Sequence, residues 1–370
     1  MKRLILLLVL LASACQASAS SPTPSPLVDR PTAIGLTAKP STPPKRKATA
    51  SPTRTRVPPT MTASPTYTPA PPTLTFTPFP TPVSYDPYTI DSLRNRTYGE
   101  RNIEVIETME ETDSFTRYLI HYLSEELSIY GFANVPKGEG PFPVIVAIHG
   151  FVDPAIYKTL DYTTSALDVI TQAGYIVIHP DLRGYPPSDN GDNLFRVGMA
   201  IDVLNLIALI KAEAGPPELF AKAAPDRIGL WGHSLGGSIA LRVLTVSSDI
   251  KAATVFASMS GDELKNAELL SNISADPIFQ TELSTAPSVL ERISPMLYYS
   301  NITAPIQLHH GAVDQTVPVA WAEETCQALT TAGVEVECIY YPEEDHTFRS
   351  RVADQLYSAL FAFYETYLSP

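Results

Sequence analysis

Cysteine is scarce in this sequence, with three residues in 370, and neither a C-x-x-C pair nor a His/Cys cluster accompanies them. That pattern speaks against a zinc ribbon, finger or other thiolate site. Long apolar runs are also missing. The stretch Leu4–Leu11 falls well short of the roughly 20 residues a membrane-spanning helix needs. Cations are few where a folded domain is to be expected. Nine of the 26 Lys and Arg, but one of the 39 Asp and Glu, precede Ser84, which leaves residues 84–370 with a net charge near −21. So acidic a segment argues against nucleic acid or an anionic membrane as partner of the folded part.

What is present divides the chain into three. Lys2-Arg3, the apolar run and the small residues after it form an export signal over 1–15. The segment Leu11-Ala12-Ser13-Ala14-Cys15 resembles the bacterial lipobox, with Ala12 where Leu is usual, and the resemblance implies lipidation of Cys15. The alternative is plain cleavage after Ala12-Ser13-Ala14 or Ala17-Ser18-Ala19, giving a secreted protein without lipid. Either way the protein is expected outside the cell, touching a membrane only through a lipid anchor. Residues 16–83 are rich in Pro, Thr and Ser, as in Pro78-Phe79-Pro80-Thr81-Pro82. Proline removes amide donors and fixes φ, so a disordered, extended tether is expected there. Residues 84–370 have ordinary globular composition and length for one sizeable core.

Within that domain, 102–109, 115–122 and 127–134 alternate as strands do. The continuous apolar run Pro143–Ile148 marks a strand buried on both faces. Helices over 162–173, 194–211, 235–245, 319–332 and 353–367 then alternate with strands over 175–179, 227–231, 252–257, 305–309 and 334–341. The pattern predicts an α/β fold with a mostly parallel central sheet and helices on both faces. Residues 261–300 interrupt it. Leu264, Leu269, Leu270, Ile273, Ile278, Phe279 and Leu283 suit short amphipathic helices, and Asn272, Ser274 and Pro277 would break them into a mobile lid.

Gly232-His233-Ser234-Leu235-Gly236 is a G-x-S-x-G between an apolar strand and a helix, the context in which a strained turn exposes a nucleophilic serine. A hydroxyl needs a base to remove its proton. His346 follows the last strand and Asp314 the one before it, so both are expected at the same sheet edge as Ser234. Asp262 and Asp345 are the competing acids. His179, His233, His309, His310, Asp181 and Arg183 read as structural. Cys326, on a helix, and Cys338, on the following strand, are expected to form a disulfide in an oxidising compartment, the alternative being two buried thiols.

Residues 143–365 resemble the catalytic domain of the prolyl oligopeptidase family, within the α/β-hydrolase superfamily. The matching runs are Asp226-Arg227-Ile228-Gly229-Leu230-Trp231-Gly232-His233-Ser234, Ser294-Pro295, His310-Gly311-x-x-Asp314-x-x-Val317-Pro318 and Tyr341-Pro342-x-x-x-His346-x-Phe348. The resemblance implies a Ser234-His346-Asp314 triad and an oxyanion hole from the backbone N–H groups of Phe151, after His149-Gly150, and Leu235. Three departures favour an ester over a peptide substrate. Residues 84–142 are too few for a β-propeller, no acidic pair for a free amine is evident, and Leu235 stands where dipeptidyl peptidases commonly carry an aromatic residue. The expectation is an exported serine hydrolase acting on a small ester or peptide, without metal or organic cofactor. A tethered envelope-binding protein that kept the fold and lost turnover is the alternative.

Overall fold

Residues 84–369 are described by a computed structural model. A short helix α1 (Ile90–Arg94) precedes an antiparallel meander of β1 (Glu104–Glu111), β2 (Phe115–Ser124) and β3 (Leu127–Pro136). The core strand β4 (Phe142–Ile148) is followed by α2 (Thr164–Gln172), β5 (Ile176–Pro180), α3 (Val197–Lys211) and the short α4 (Pro217–Phe220). Then come β6 (Ala223–His233), α5 (Leu235–Val246) and β7 (Ile250–Phe256). An insertion carries α6 (Glu263–Ile273), α7 (Ile278–Leu283) and α8 (Pro287–Ile293), after which β8 (Ile306–Gly311), α9 (Val319–Thr331), β9 (Val336–Tyr341) and α10 (Ala353–Leu368) close the domain.

The nine strands form one sheet in the order β1-β2-β3-β5-β4-β6-β7-β8-β9. From β5 to β9 every pairing is parallel, and β3 joins β5 antiparallel. Side chains of β4 alternate between two cores. Val144, Val146 and Ile148 pack with α3 and α5, while Ile145 and Ala147 pack with α2 and α10. Burial on both faces is why β4 is apolar throughout rather than alternating. The sheet order reverses at β4, placing the carboxyl ends of β4 and β6 at the crevice where such sheets bind ligands.

The expected helix over 194–211 starts later, at Val197. Phe195 and Arg196 take left-handed φ values of 55° and 58°, which breaks the helix. The reason is tertiary. The Phe195 amide donates to Glu282 at 2.6 Å, and the Arg196 guanidinium pairs with Glu282 at 2.6 Å and with Glu263. Glu263 also pairs with Arg242 of α5, whose Nη1 donates to the Ile293 carbonyl at 2.7 Å. All three helices of the insertion are thus rooted in one buried ionic cluster. The segment is helical and breaks between Ile273 and Ile278 as expected, but it is fastened to the core.

Candidate active site

Strand β6 runs directly into α5, and Ser234 sits at the corner with φ 54° and ψ −116°. A Cβ at Gly232 would lie 2.6 Å from the Gly236 carbonyl oxygen, and one at Gly236 would lie 2.1 Å from that of Ile148. Only glycine fits either place, so the motif is a packing requirement of the turn. Strain of this kind costs on the order of 1–3 kcal/mol and persists because the surrounding packing enforces it. The Ser234 amide donates to the Phe256 carbonyl at 2.9 Å, which ties the corner to β7. The positive end of the α5 dipole lies beside the hydroxyl.

His346 and Asp314 come to this corner from the ends of β9 and β8. The Ser234 Oγ lies 2.9 Å from His346 Nε2, and His346 Nδ1 lies 2.8 Å from Asp314 Oδ2. The other carboxylate oxygen of Asp314 accepts the Thr316 and Val317 amides at 2.7 and 2.9 Å. Burial opposes the Asp314 charge, but the His346 hydrogen bond and these amides outweigh it and hold its carboxyl below the usual range. An ionised Asp314 accepts only, so His346 carries its proton on Nδ1 and presents the Nε2 lone pair to the serine hydroxyl. The competing acids lie elsewhere in hydrogen-bond terms. Asp262 caps α6 through the Leu264 amide at 2.9 Å, and Asp345 accepts the Thr347 amide at 3.1 Å.

The loop after β4 closes on the nucleophile. A Cβ at Gly150 would stand 3.2 Å from Ser234 Cβ, so the chain passes close to the serine one residue before Phe151. Phe151 and Leu235 border one cavity of about 410 Å³, which Leu270, Ile278 and Phe279 of the insertion also line. Neither the Phe151 nor the Leu235 amide has a hydrogen-bond partner among the described residues. Two free donors, one next in the chain to Ser234 and one next to Gly150, are what a developing oxyanion requires.

Two contacts at the site escaped sequence reading. His233 Nε2 lies 2.9 Å from the His346 carbonyl oxygen, and Tyr162 Oη lies 2.6 Å from His233 Nδ1. A carbonyl can only accept, so His233 donates from Nε2 and receives the tyrosine proton at Nδ1. Burial, and secondarily the His346 ring, lower the His233 pKa to about 4, which keeps it neutral. Its position beside Ser234 was the one available signal, and Tyr162 offered none. His310 donates to the Val317 carbonyl at 3.0 Å, and His309 stacks on Phe256. Asp181 holds the β4–α2 loop by accepting from Tyr157 at 2.6 Å and Thr159 at 2.8 Å.

Residues 218–370 match the prolyl oligopeptidase family. A Synechocystis sp. protein named "Putative carboxymethylenebutenolidase" is 22% identical over 241 residues, covering 62% of this chain and 85% of that one. The "Uncharacterized peptidase YuxL" of Bacillus subtilis is 25% identical over 244 residues, covering 61% of this chain and 35% of the peptidase. The chain is a serine hydrolase with a prolyl oligopeptidase-like catalytic domain.

The hydrolase also superposes on solved α/β-hydrolases. Pyrococcus horikoshii acylaminoacyl peptidase gives a TM-score of 0.57 at 24% identity, covering 70% of this chain and 42% of that one. Acetyl xylan esterase 1 from Thermoanaerobacterium sp. gives 0.57 at 16%, covering 76% and 92%. The hydrolase therefore spans about a third to two fifths of the length of these peptidases. Cys326 of α9 and Cys338 of β9 are joined by a disulfide, with Cα atoms 6.4 Å apart. Cys15 lies outside the described residues, as do the signal and tether. Among the described residues no group of three or more His, Cys, Asp or Glu side chains is arranged to hold a metal ion.

Proposed function

We propose that the hydrolase cleaves carboxylic esters by acyl transfer to water through an acyl-Ser234 intermediate. The observation that carries this reading is the continuous line from Ser234 Oγ through His346 to Asp314, at 2.9 and 2.8 Å. The serine oxygen attacks the ester carbonyl as His346 Nε2 takes its proton, and Asp314 stabilises the imidazolium. The carbonyl oxygen becomes an oxyanion, held by the Phe151 and Leu235 amides. Collapse breaks the bond to the alcohol, which leaves with the proton from His346. Water then attacks the acyl-serine by the same route, releasing the acid and the free serine. No metal or organic cofactor enters these steps.

Relative size favours esters. The carboxymethylenebutenolidase relative and the acetyl xylan esterase are spanned over 85% and 92% of their lengths, whereas the peptidases are spanned over 35% and 42%. Leu235 after the nucleophile points the same way. Amide cleavage is the second reading, favoured by the family match over residues 218–370. Export, with a lipid on Cys15, completes the proposal. The Cys326–Cys338 bridge supports it, because such bonds persist in oxidising compartments.

The test is covalent labelling by a small fluorophosphonate, followed by matched ester and anilide panels. Labelling at Ser234, absent from Ser234→Ala, with turnover of esters is expected. A folded native protein that takes no label would sink the enzyme reading in favour of a catalytically silent binding protein.

A further inference from the structure

The cavity that touches Phe151 and Leu235 is lined by apolar side chains, among them Leu270, Ile278 and Phe279, and also by the carboxamides of Asn190 and Asn193. Both carboxamides have fixed orientations. Asn190 Oδ1 accepts the Gly191 amide at 2.9 Å, and Asn193 Oδ1 accepts the Met199 amide at 3.0 Å. A backbone N–H only donates, so the oxygen of each side chain must face it and the NH₂ group is the end left over. Neither Nδ2 has a protein partner among the described residues; Asn190 is exposed and Asn193 half-buried, so both NH₂ groups are open to solvent and to a ligand in the cavity. Arg196, also in the lining, is buried with its Nε–H unpartnered. Three residues of the lining thus carry a donor without a protein partner.

Their charge is already balanced. Arg196 is paired with Glu263 and Glu282, and the neighbouring Arg183 with Asp202 and Glu125. The acidic side chain in the lining, Asp276, is exposed at the rim, where its Oδ1 accepts the Ile278 amide at 3.0 Å. A carboxylate ligand would meet Asp276 without gaining a free cation. A neutral oxygen, by contrast, could accept from the Asn190 and Asn193 NH₂ groups in place of water.

We propose that this cavity is a subsite for acyl groups carrying a second, neutral hydrogen-bond acceptor, such as a carbonyl or ether oxygen, several atoms beyond the scissile carbonyl, read by Asn190 and Asn193. At about 410 Å³ it is within the size range of small-molecule sites. The inference rests on the acyl-transfer reading, and it goes further by assigning the substrate class.

The experiment uses p-nitrophenyl oxo-alkanoates in which the second carbonyl is moved outward one carbon at a time, each paired with its unsubstituted alkanoate. At the best position the oxo ester should exceed its partner in kcat/KM by about tenfold, the worth of one or two hydrogen bonds. Asn190→Asp and Asn193→Asp each keep the oxygen that holds the backbone amide and replace the NH₂ donor. Each should pull the ratio toward one, and the ratio cancels any loss common to both substrates. A ratio near one at every position in the native enzyme overturns the subsite, as does a preference that both variants leave intact. A monocarboxylate ester preferred over the oxo ester would also overturn it, because the acceptor would then be anionic. Fluorophosphonate labelling separates the two readings. If Ser234 is not labelled, acyl transfer fails and the subsite falls with it; normal labelling with a flat ratio removes the subsite alone.

Discussion

His233 is bonded through its ring to the backbone of His346: its Nε2–H donates to the His346 carbonyl oxygen at 2.9 Å. The residue preceding the nucleophile therefore holds the loop that supplies the base, and Tyr162 fixes the tautomer that makes this possible. Tyr162 and His233 position His346 without touching the reacting atoms. Tyr162→Phe should lower kcat on esters by about tenfold with little change in KM, and His233→Ala should lower it further. His233→Gln, which restores a side-chain N–H, should recover part of the loss. Steady-state kinetics decides, since a defect confined to packing would not be rescued by Gln.

The triad makes the largest claim. Ser234→Ala and His346→Ala should each reduce kcat by about a thousandfold or more, with circular dichroism unchanged. Asp314→Asn should lose at least about a hundredfold, because an amide no longer selects the proton on His346 Nδ1. If Asp262→Asn is the more damaging of the two, the acid has been misassigned.

Asp181 gives a pH-dependent stability with a definite sign. Burial raises its pKa to about 6, against the hydrogen bonds of Tyr157 and Thr159 that favour its charge. Between about pH 4 and pH 6 the folded state holds a proton the unfolded chain has released, so this contribution is fully present below pH 4 and is lost as pH rises through 6. Asp181→Asn does not titrate. The stability of the native protein relative to Asp181→Asn should thus fall by about 3 kcal/mol from pH 4 to pH 7. Urea midpoints of both proteins at the two values measure it, and a pH-independent difference refutes it.

The buried cluster at the insertion should dominate its stability. Glu263→Gln leaves Arg242 without a carboxylate and Arg196 with Glu282 alone. Removing one partner of a buried ionic group costs about 3–5 kcal/mol. Glu324→Gln, which breaks the more exposed pair with Lys265, should cost under about 1 kcal/mol. Chemical denaturation compares them, and equal effects would contradict the assignment.

Export is tested by mass spectrometry of the mature protein from a bacterial host. A diacylglycerol-modified Cys15 at the new amino terminus is expected, with Cys15→Ser released from membranes. An unmodified terminus would indicate simple secretion.

The parts of this molecule legible in one dimension are those whose cause is local. Val144–Ile148 is a buried strand because an apolar run that short has few other uses. Gly232 and Gly236 announce the elbow because any Cβ would strike the Gly236 or Ile148 carbonyl oxygens. Ser234, Asp314 and His346 are legible as a set because each follows a strand, and parallel strands deliver their carboxyl ends to one edge. Where the cause lies across the chain, the residues themselves were silent. The helix expected from Leu194 begins at Val197 because Glu282, 87 residues away, takes the Phe195 amide. His233 and Tyr162 brace the base through a bond to a backbone carbonyl 113 positions from His233. The insertion reads as a loose amphipathic lid until Glu263 and Glu282 meet Arg196 and Arg242. Composition and periodicity determine which face of an element is buried, whereas partners for buried charges and carbonyls are decided only when packing brings distant segments together.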